Sequence, residues 1–306
     1  MKVAYLIDRE AVGGGMEYIR RKISERKGDE CRVFFSERGE CFAKNLNAWG
    51  ADEIHANHLK ALLQLFENPI VRPKARVVFT VHGIHLRKFD FLPRTPANRL
   101  KRFLRLWLER RLYAKCDQMI ALTPTDADEI HRLYGKNLNV TIEPNVVSPS
   151  DFSCPKNLRY SQDSFAFVCI ARFDFQKGQD ILVNAIRLAQ DELRRRNART
   201  LMIGAGQTLD EIKNLADKFG ITDLIEFAGE IPNAGAYATC GKFLVAPSRW
   251  EGMPYLMLEA VARKHSVIAS DCPGNIDVLA NYPGAQLFKT NDPTSLSPIL
   301  AKAASL

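Results

Sequence analysis

The feature that most constrains this chain is rhythm. Short apolar runs suited to buried strands alternate with longer runs suited to helices, and the alternation stops once and restarts. "KVAYLID" opens as a strand, a glycine turn follows at Gly13, Gly14 and Gly15, and a helix is expected from about Glu17. "CRVFF", "EIHAN", "RVVFTVH", "DQMIALT" and "VTIEPN" continue the strands, with helical "HLKALLQLF", "NRLKRFLRLWLERRLYAK" and "TDADEIHRLYG" among them. "PNVVSPSDFSCPKNLRYSQDS", rich in Pro, Ser and Asn, then breaks the pattern. After it come strands "FAFVCIAR", "TLMIGAG", "LIEFAG", "KFLVAPS" and "SVIASD", with helices "DILVNAIRLAQDELRRR", "TLDEIKNLADKFG" and "PYLMLEAVARK". A linker near residues 146–164 therefore separates two α/β domains, 1–148 and 149–306, each expected to carry a parallel sheet covered on both faces. In that fold class ligands bind at the carboxyl ends of the strands, so the loops there carry the functional argument.

Several classes are disfavoured at once. The seven residues before Asp8 are too few for a signal-peptide apolar region, and no run approaches the ~18 apolar residues of a membrane span. Seven scattered cysteines with no C-x-x-C pair give neither a disulfide framework nor a zinc knuckle, and a reducing cytoplasm is expected. Neither "GGGMEY" nor "GAGQTL" is a G-x-G-x-x-G fingerprint and no Walker loop is present, which argues against a nicotinamide dehydrogenase. "DAD" at Asp126–Asp128 has the look of a metal motif, but it follows "LTPT", where Thr or Asp caps a helix, and no metal is expected.

Charge is uneven. Residues 1–150 hold 26 basic and 18 acidic side chains, the whole +8 of the chain, and residues 87–115 alone hold ten basic and two acidic ones. Within that segment Leu100, Phe103, Leu104, Trp107, Leu108 and Leu112 follow helical spacing, with Arg99, Arg102, Arg105 and Arg110 between them. Two readings stand: a helix packed on the sheet with a solvated basic face, or a helix that docks on an anionic bilayer.

Two constellations carry chemistry. In "SRWEGMPYLMLEA" Glu251 precedes a helix start and Glu259 lies inside that helix. Pro254 suits the first helical position, which leaves Gly252 and Met253 where backbone N–H groups lack partners and anions are favoured. The two carboxylates then stand roughly 12 Å apart at about 1.5 Å per helical residue. Each can accept hydrogen bonds from a pair of vicinal hydroxyls. In "CIARFDFQKGQDILVNA" a strand ends at Ala171, and Arg172 and Lys177 follow in a short loop suited to binding a diphosphate. The ordinary alternative for all four is a solvated surface charge.

"ARFDFQKGQDILVNA", "MIGAG", "IEFAGEI", "VAPSRWEGMPYLMLEA" and "SDCPGNIDVL" together resemble the C-terminal half of the retaining, nucleotide-sugar-dependent glycosyltransferases of family 4. The N-terminal half is similar more loosely, through the first glycine-rich loop, "FTVHG" and "VTIEPNVV". The resemblance implies a GT-B fold, two Rossmann-like doubly wound domains facing each other across a cleft. It implies a nucleoside-diphosphate sugar as donor substrate, UDP- or GDP-linked, with no further cofactor, and a glycan or lipid-linked acceptor of cell-envelope type. Arg172 and Lys177 would bind the diphosphate, Glu259 the ribose, and Glu251 the hydroxyls of the transferred sugar. Gly252 and Met253 would border the phosphates, Gly14 and Gly15 would let the first loop approach them, Glu230 and Ile231 would pass beside the base, and His82 would hydrogen-bond the donor sugar. The linker lacks the glycine and aspartate usual in the family after "PN", and "SLSPILAKAASL" leaves little length for the helix that in the family crosses back to the first domain. Competing readings are a nucleotide-sugar epimerase or hydrolase on the same fold, and a basic nucleic-acid-binding protein. The last is disfavoured because no recognised nucleic-acid module is present. A cytoplasmic location, on or near the inner face of the plasma membrane, is expected.

Overall fold

The computed structural model describes residues 1–7, 14–35, 42–67, 73–147, 159–161 and 163–306. The chain divides into two compact units, Met1–Asn145 and Val146–Leu306. Gly13 and most of the expected linker lie outside the described residues.

The first unit runs β1 (Lys2–Ile7), α1 (Gly14–Glu25), β2 (Glu30–Phe35), α2 (Phe42–Trp49), β3 (Glu53–Ala56), α3 (Leu59–Glu67), β4 (Arg76–Val81), α4 (Pro96–Tyr113), β5 (Gln118–Ala121), α5 (Pro124–Tyr134) and β6 (Val140–Ile142). Its six parallel strands lie in the order β2-β1-β3-β4-β5-β6, so the direction of winding reverses between β1 and β3. Val3 to Leu6 are fully buried, as a near-continuous apolar run must be when both faces of a parallel strand are covered. Ala4, Leu6, Ile54, Ala56, Val77, Phe79, Met119 and Ala121 form one face and pack into a core with Leu62, Leu65, Ile130 and Leu133. The alternate positions turn to the other face, where charge enters the fold. There Glu53 is buried and accepts from Arg26 at 2.5 Å, Arg76 at 3.0 Å and His55 at 2.7 Å.

The second unit runs β7 (Phe165–Ile170), α6 (Gln179–Arg195), β8 (Thr200–Ile203), α7 (Leu209–Lys218), β9 (Ile225–Gly229), β10 (Gly241–Ala246), α8 (Tyr255–Ala262), β11 (Val267–Ser270), α9 (Pro273–Leu279), β12 (Ala285–Phe288) and α10 (Pro293–Ala303). A 3-10 segment, Ala234–Cys240, replaces a helix between β9 and β10. The order is β12-β11-β10-β7-β8-β9, again all parallel, and here the winding reverses between β7 and β10. Phe167, Cys169 and Met202 pack on one face with Ile186 of α6 and Leu300 of α10; Val168, Leu201 and Ile203 pack on the other with Met257 of α8. Both units are therefore doubly wound, as the alternation of runs predicts.

The structure adds elements that the sequence reading lacks: α2, α9, β12 and α10. Pro298 disguises α10, because proline removes an N–H from the helix interior. The helix forms because Leu296 and Leu300 are wholly buried in the core that α6 also lines. α1 begins at Gly14, three residues before the expected Glu17.

Candidate active site

The loops that leave β7 and β10 meet at the switch point of the second sheet. After β7 the chain turns at Asp174, whose carboxylate and carbonyl both accept from the Lys177 N–H at 3.1 Å. Gly178 then starts α6 in the left-handed conformation (φ 68°), with the Pro247 carbonyl oxygen 2.1 Å from where a β-carbon would sit. Only glycine fits there. The close approach lays the β10 loop directly on the β7 loop.

Arg249 fastens the two loops. It is buried, and its guanidinium donates to both oxygens of Asp180 (3.0 and 2.5 Å), to the Phe175 carbonyl (2.7 Å) and to Asn291 (2.9 Å), while covering the Phe175 ring at 4.1 Å. Its own N–H donates to the Gln176 carbonyl at 2.7 Å. So anchored, the loop presents Glu251, itself buried, to Lys177. Glu251 Oε1 accepts from Lys177 Nζ and from Ser248 Oγ, each at 2.6 Å, and Oε2 lies 3.5 Å from Gln176 Nε2. Burial and then the charge of Glu251 push the nearby Cys272 thiol up to about 11. Arg172, by contrast, is 61% exposed and pairs with Asp174 at 3.2 Å, so its fork lies at the open side of the same loop.

Glu259 lies on α8, and its Oε2 is 2.7 Å from where a β-carbon on Gly235 would be. The carboxylate thus sits directly over the 3-10 segment that follows the β9 loop. That loop carries Glu230, which is exposed, and Ile231, whose side chain packs against the core beneath α8. The helix start differs from expectation by one residue. Pro254 is the N-cap and Tyr255 the first helical residue, because Pro254 is extended (ψ 123°) and its carbonyl accepts from Met257 and Leu258. Gly252 is buried; its carbonyl oxygen lies 2.1 Å from a β-carbon position on Gly274 of α9, and Met253 is half-buried beside it.

In the first unit Gly14 and Gly15 open α1, and His58 approaches the β-carbon position of Gly15 to 3.5 Å. His82 follows β4. Its Nε2 lies 3.3 Å from Asn57 Oδ1, and its ring stands edge-on to Tyr18 with centroids 5.1 Å apart. Burial, then His58 and His85, push its pKa down to about 3. The ring is neutral at pH 7, and with Nε2–H donated to Asn57 its Nδ1 is the acceptor nitrogen. Thr123 caps α5 by accepting from the Asp126 N–H at 3.1 Å, and the Asp126 carboxylate pairs with the buried Arg87 at 3.1 Å.

Comparison with known proteins decides the family. The model described as "Glycosyl transferases group 1" matches residues 154–305, and "Glycosyltransferase Family 4" matches residues 18–151. The chain belongs to the family 4 type of glycosyltransferases. The UDP-Gal:alpha-D-GlcNAc-diphosphoundecaprenol alpha-1,3-galactosyltransferase of Escherichia coli is 24% identical over 230 residues, 71% of this chain and 57% of that one. The chain spans between 27% and 58% of the length of the curated relatives it matches. Among solved structures, sucrose-phosphate synthase from Thermosynechococcus elongatus superposes with a TM-score of 0.78 at 18% identity, over 99% of this chain and 90% of that one. WaaG, a glycosyltransferase involved in lipopolysaccharide biosynthesis, gives 0.77 at 15% identity over the same shares. These likenesses establish the GT-B fold.

Against the sequence reading of this glycosyltransferase, the structure joins Lys177 to Glu251 and sets Glu259 beside the segment that follows Glu230 and Ile231. Arg172 pairs instead with Asp174, at 3.2 Å. Sequence reasoning missed Arg249, Gln176, Ser248 and Asp180. The signal nearest to hand was the position of Arg249 between Ser248 and Trp250 in the same stretch as Glu251, but Asp180 lies 69 residues away.

Proposed function

We propose that this chain is a retaining glycosyltransferase that moves a hexose from a nucleoside-diphosphate sugar, UDP- or GDP-linked, to a glycan or lipid-linked acceptor of the cell envelope. One observation carries the reading: a lysine and a glutamate are brought together across the switch point of the second sheet, the place where open α/β sheets bind ligands. In this reading Lys177 and Arg172 take the diphosphate and offset the charge that grows on it as the glycosidic bond breaks. Glu259 accepts from the ribose hydroxyls, and the base lies along Glu230 and Ile231. Glu251, held by Lys177 and Ser248, fixes the sugar hydroxyls. The C1–O bond to phosphate breaks while the acceptor oxygen bonds to C1 on the same face, and the acceptor proton passes to a phosphate oxygen. His82 is neutral and accepts a hydrogen bond from the donor sugar. Gly14 and Gly15 let the loop preceding α1 come close to phosphate. A lipid-linked acceptor places the reaction at the cytoplasmic face of a membrane. The relatives support that acceptor class, since the E. coli protein's name specifies a diphosphoundecaprenol. Support for the donor class comes from a structural neighbour, Anabaena HepE, solved with UDP-glucose.

The test is thermal stability with UDP, GDP, ADP and CDP, on wild type and on Glu259→Ala. A ligand at 100 times its dissociation constant stabilises the fold by about 2.7 kcal/mol. A rise with UDP or GDP that the variant abolishes is expected. No response to any diphosphate from a folded sample would overturn the reading.

A further inference from the structure

We propose that α4 seats this chain on a membrane surface rich in anionic lipid. Sequence periodicity leaves open whether the apolar side of this helix faces the core or a bilayer, and the structure divides that side in two. Leu106 and Leu108 pack against the core, and Leu112 and Tyr113 are buried in it. Leu100, Phe103, Leu104 and Trp107 are instead exposed, at 58, 63, 52 and 50%. Their spacing, i, i+3, i+4 and i+7, makes one stripe along the helix. Elsewhere among the described residues the exposed large apolar side chains do not form such a stripe. A contiguous apolar patch on a surface helix marks an interaction site.

Charge names the partner. Arg99, Lys101, Arg110 and Arg111 are exposed beside the stripe, and the Arg111 guanidinium lies 4.7 Å from the centroid of Trp107. Of the two acidic residues in this segment, Glu109 is turned inward, where Arg105 and the Tyr134 hydroxyl donate to it. Asp90 alone is at the surface, 4.0 Å from Arg102. An apolar strip with tryptophan and phenylalanine, edged by cations, is the pattern of a helix lying in the interfacial plane of an anionic bilayer. No helix among the described residues is long and apolar enough to cross a membrane, so the fit is to the surface. Half of the stripe is leucine, which fits acyl chains and offers nucleic acid bases no surface to stack on. The docking rests on exposure and charge; only the lipid-linked acceptor it would serve depends on the proposed transfer.

The experiment is co-flotation of the full chain, without donor, with vesicles of equal parts phosphatidylglycerol and phosphatidylcholine, and with pure phosphatidylcholine vesicles. The chain should float with the mixed vesicles only, and Trp107 emission should shift to the blue. Phe103→Ser with Trp107→Ser should lose binding while keeping the far-ultraviolet dichroism of the wild type. Arg99→Glu with Lys101→Glu should weaken binding more than tenfold, since each cation at such a surface is worth about fivefold. Absence of flotation, equal binding to neutral vesicles, or unchanged binding by the Phe103 and Trp107 variant would each overturn the proposal. Concentration-dependent dimerisation that the same variant abolishes would overturn it too, by showing that the stripe faces a second copy.

Discussion

Lys177 Nζ lies 2.6 Å from Glu251 Oε1 across 74 residues of sequence, with both side chains largely withdrawn from water. A pair so placed is costly to split, because the remaining charge keeps its desolvation and loses its partner. Lys177→Ala should therefore lower stability by about 2 kcal/mol, less than for a fully buried pair because the lysine keeps some solvent. Lys177→Ala with Glu251→Gln should cost less than the sum of the two single changes. Urea denaturation of the four proteins in a double-mutant cycle measures the coupling. Additive losses would show that the two groups are not energetically joined.

Gly235 offers a way to move Glu259 without removing it. A methyl group there would come within 2.7 Å of Glu259 Oε2, and the carboxylate, at the end of a flexible chain, would swing away. Gly235→Ala is expected to leave stability nearly unchanged. Affinity for the nucleoside diphosphate should fall about tenfold, the worth of one hydrogen bond to a charged group. Calorimetric titration beside Glu259→Ala checks this; an undiminished affinity would remove Glu259 from the donor site.

Arg249→Ala should cost about 3 kcal/mol, since it leaves the β7 and β10 loops without their shared guanidinium. Arg249→Lys should recover only part of the loss, because an ammonium cannot grip both oxygens of Asp180 from one plane. Thermal unfolding of the two variants decides the point, and full rescue by lysine would mean that charge alone matters.

The pH dependence has a definite sign. His82 has its pKa lowered from 6.5 to about 3, so between those values the unfolded chain binds a proton that the folded chain refuses. Stability from this group is fully present above 6.5 and drains away as pH falls toward about 3. His82→Gln should flatten that part of the stability curve relative to wild type. Proton resonances of the His82 ring should show no titration near neutral pH, and a midpoint close to 6.5 would contradict the burial argument.

Much of the fold was legible because parallel strands announce themselves as apolar runs, and the linker as a cluster of Pro, Ser and Asn. Lys177 and Glu251 were legible as candidates because each stands between a strand end and a helix start, and Glu259 because it lies in the helix that opens just after Glu251. What could not be read was pairing at a distance. Nothing local marks Arg249 as buried, since its partners Phe175, Asp180 and Asn291 come from the β7 loop, the first turn of α6 and the turn before α10. Periodicity likewise groups Leu100 with Leu112 without saying that one faces water and the other the core. In α10 a proline masked a helix that tertiary packing alone sustains.

The backbone contacts at Gly178 and Gly274 bear on how such a chain tolerates change. At each, a neighbouring carbonyl oxygen occupies the volume 2.1 Å from where any side chain would have to begin. Neither residue is assigned to donor, sugar or acceptor. A saturation scan scored by activity would nevertheless rank them beside Glu259, with alanine as damaging as tryptophan. What these two positions accept is therefore set by the spacing of main chains, whatever the chemistry of the side chain offered.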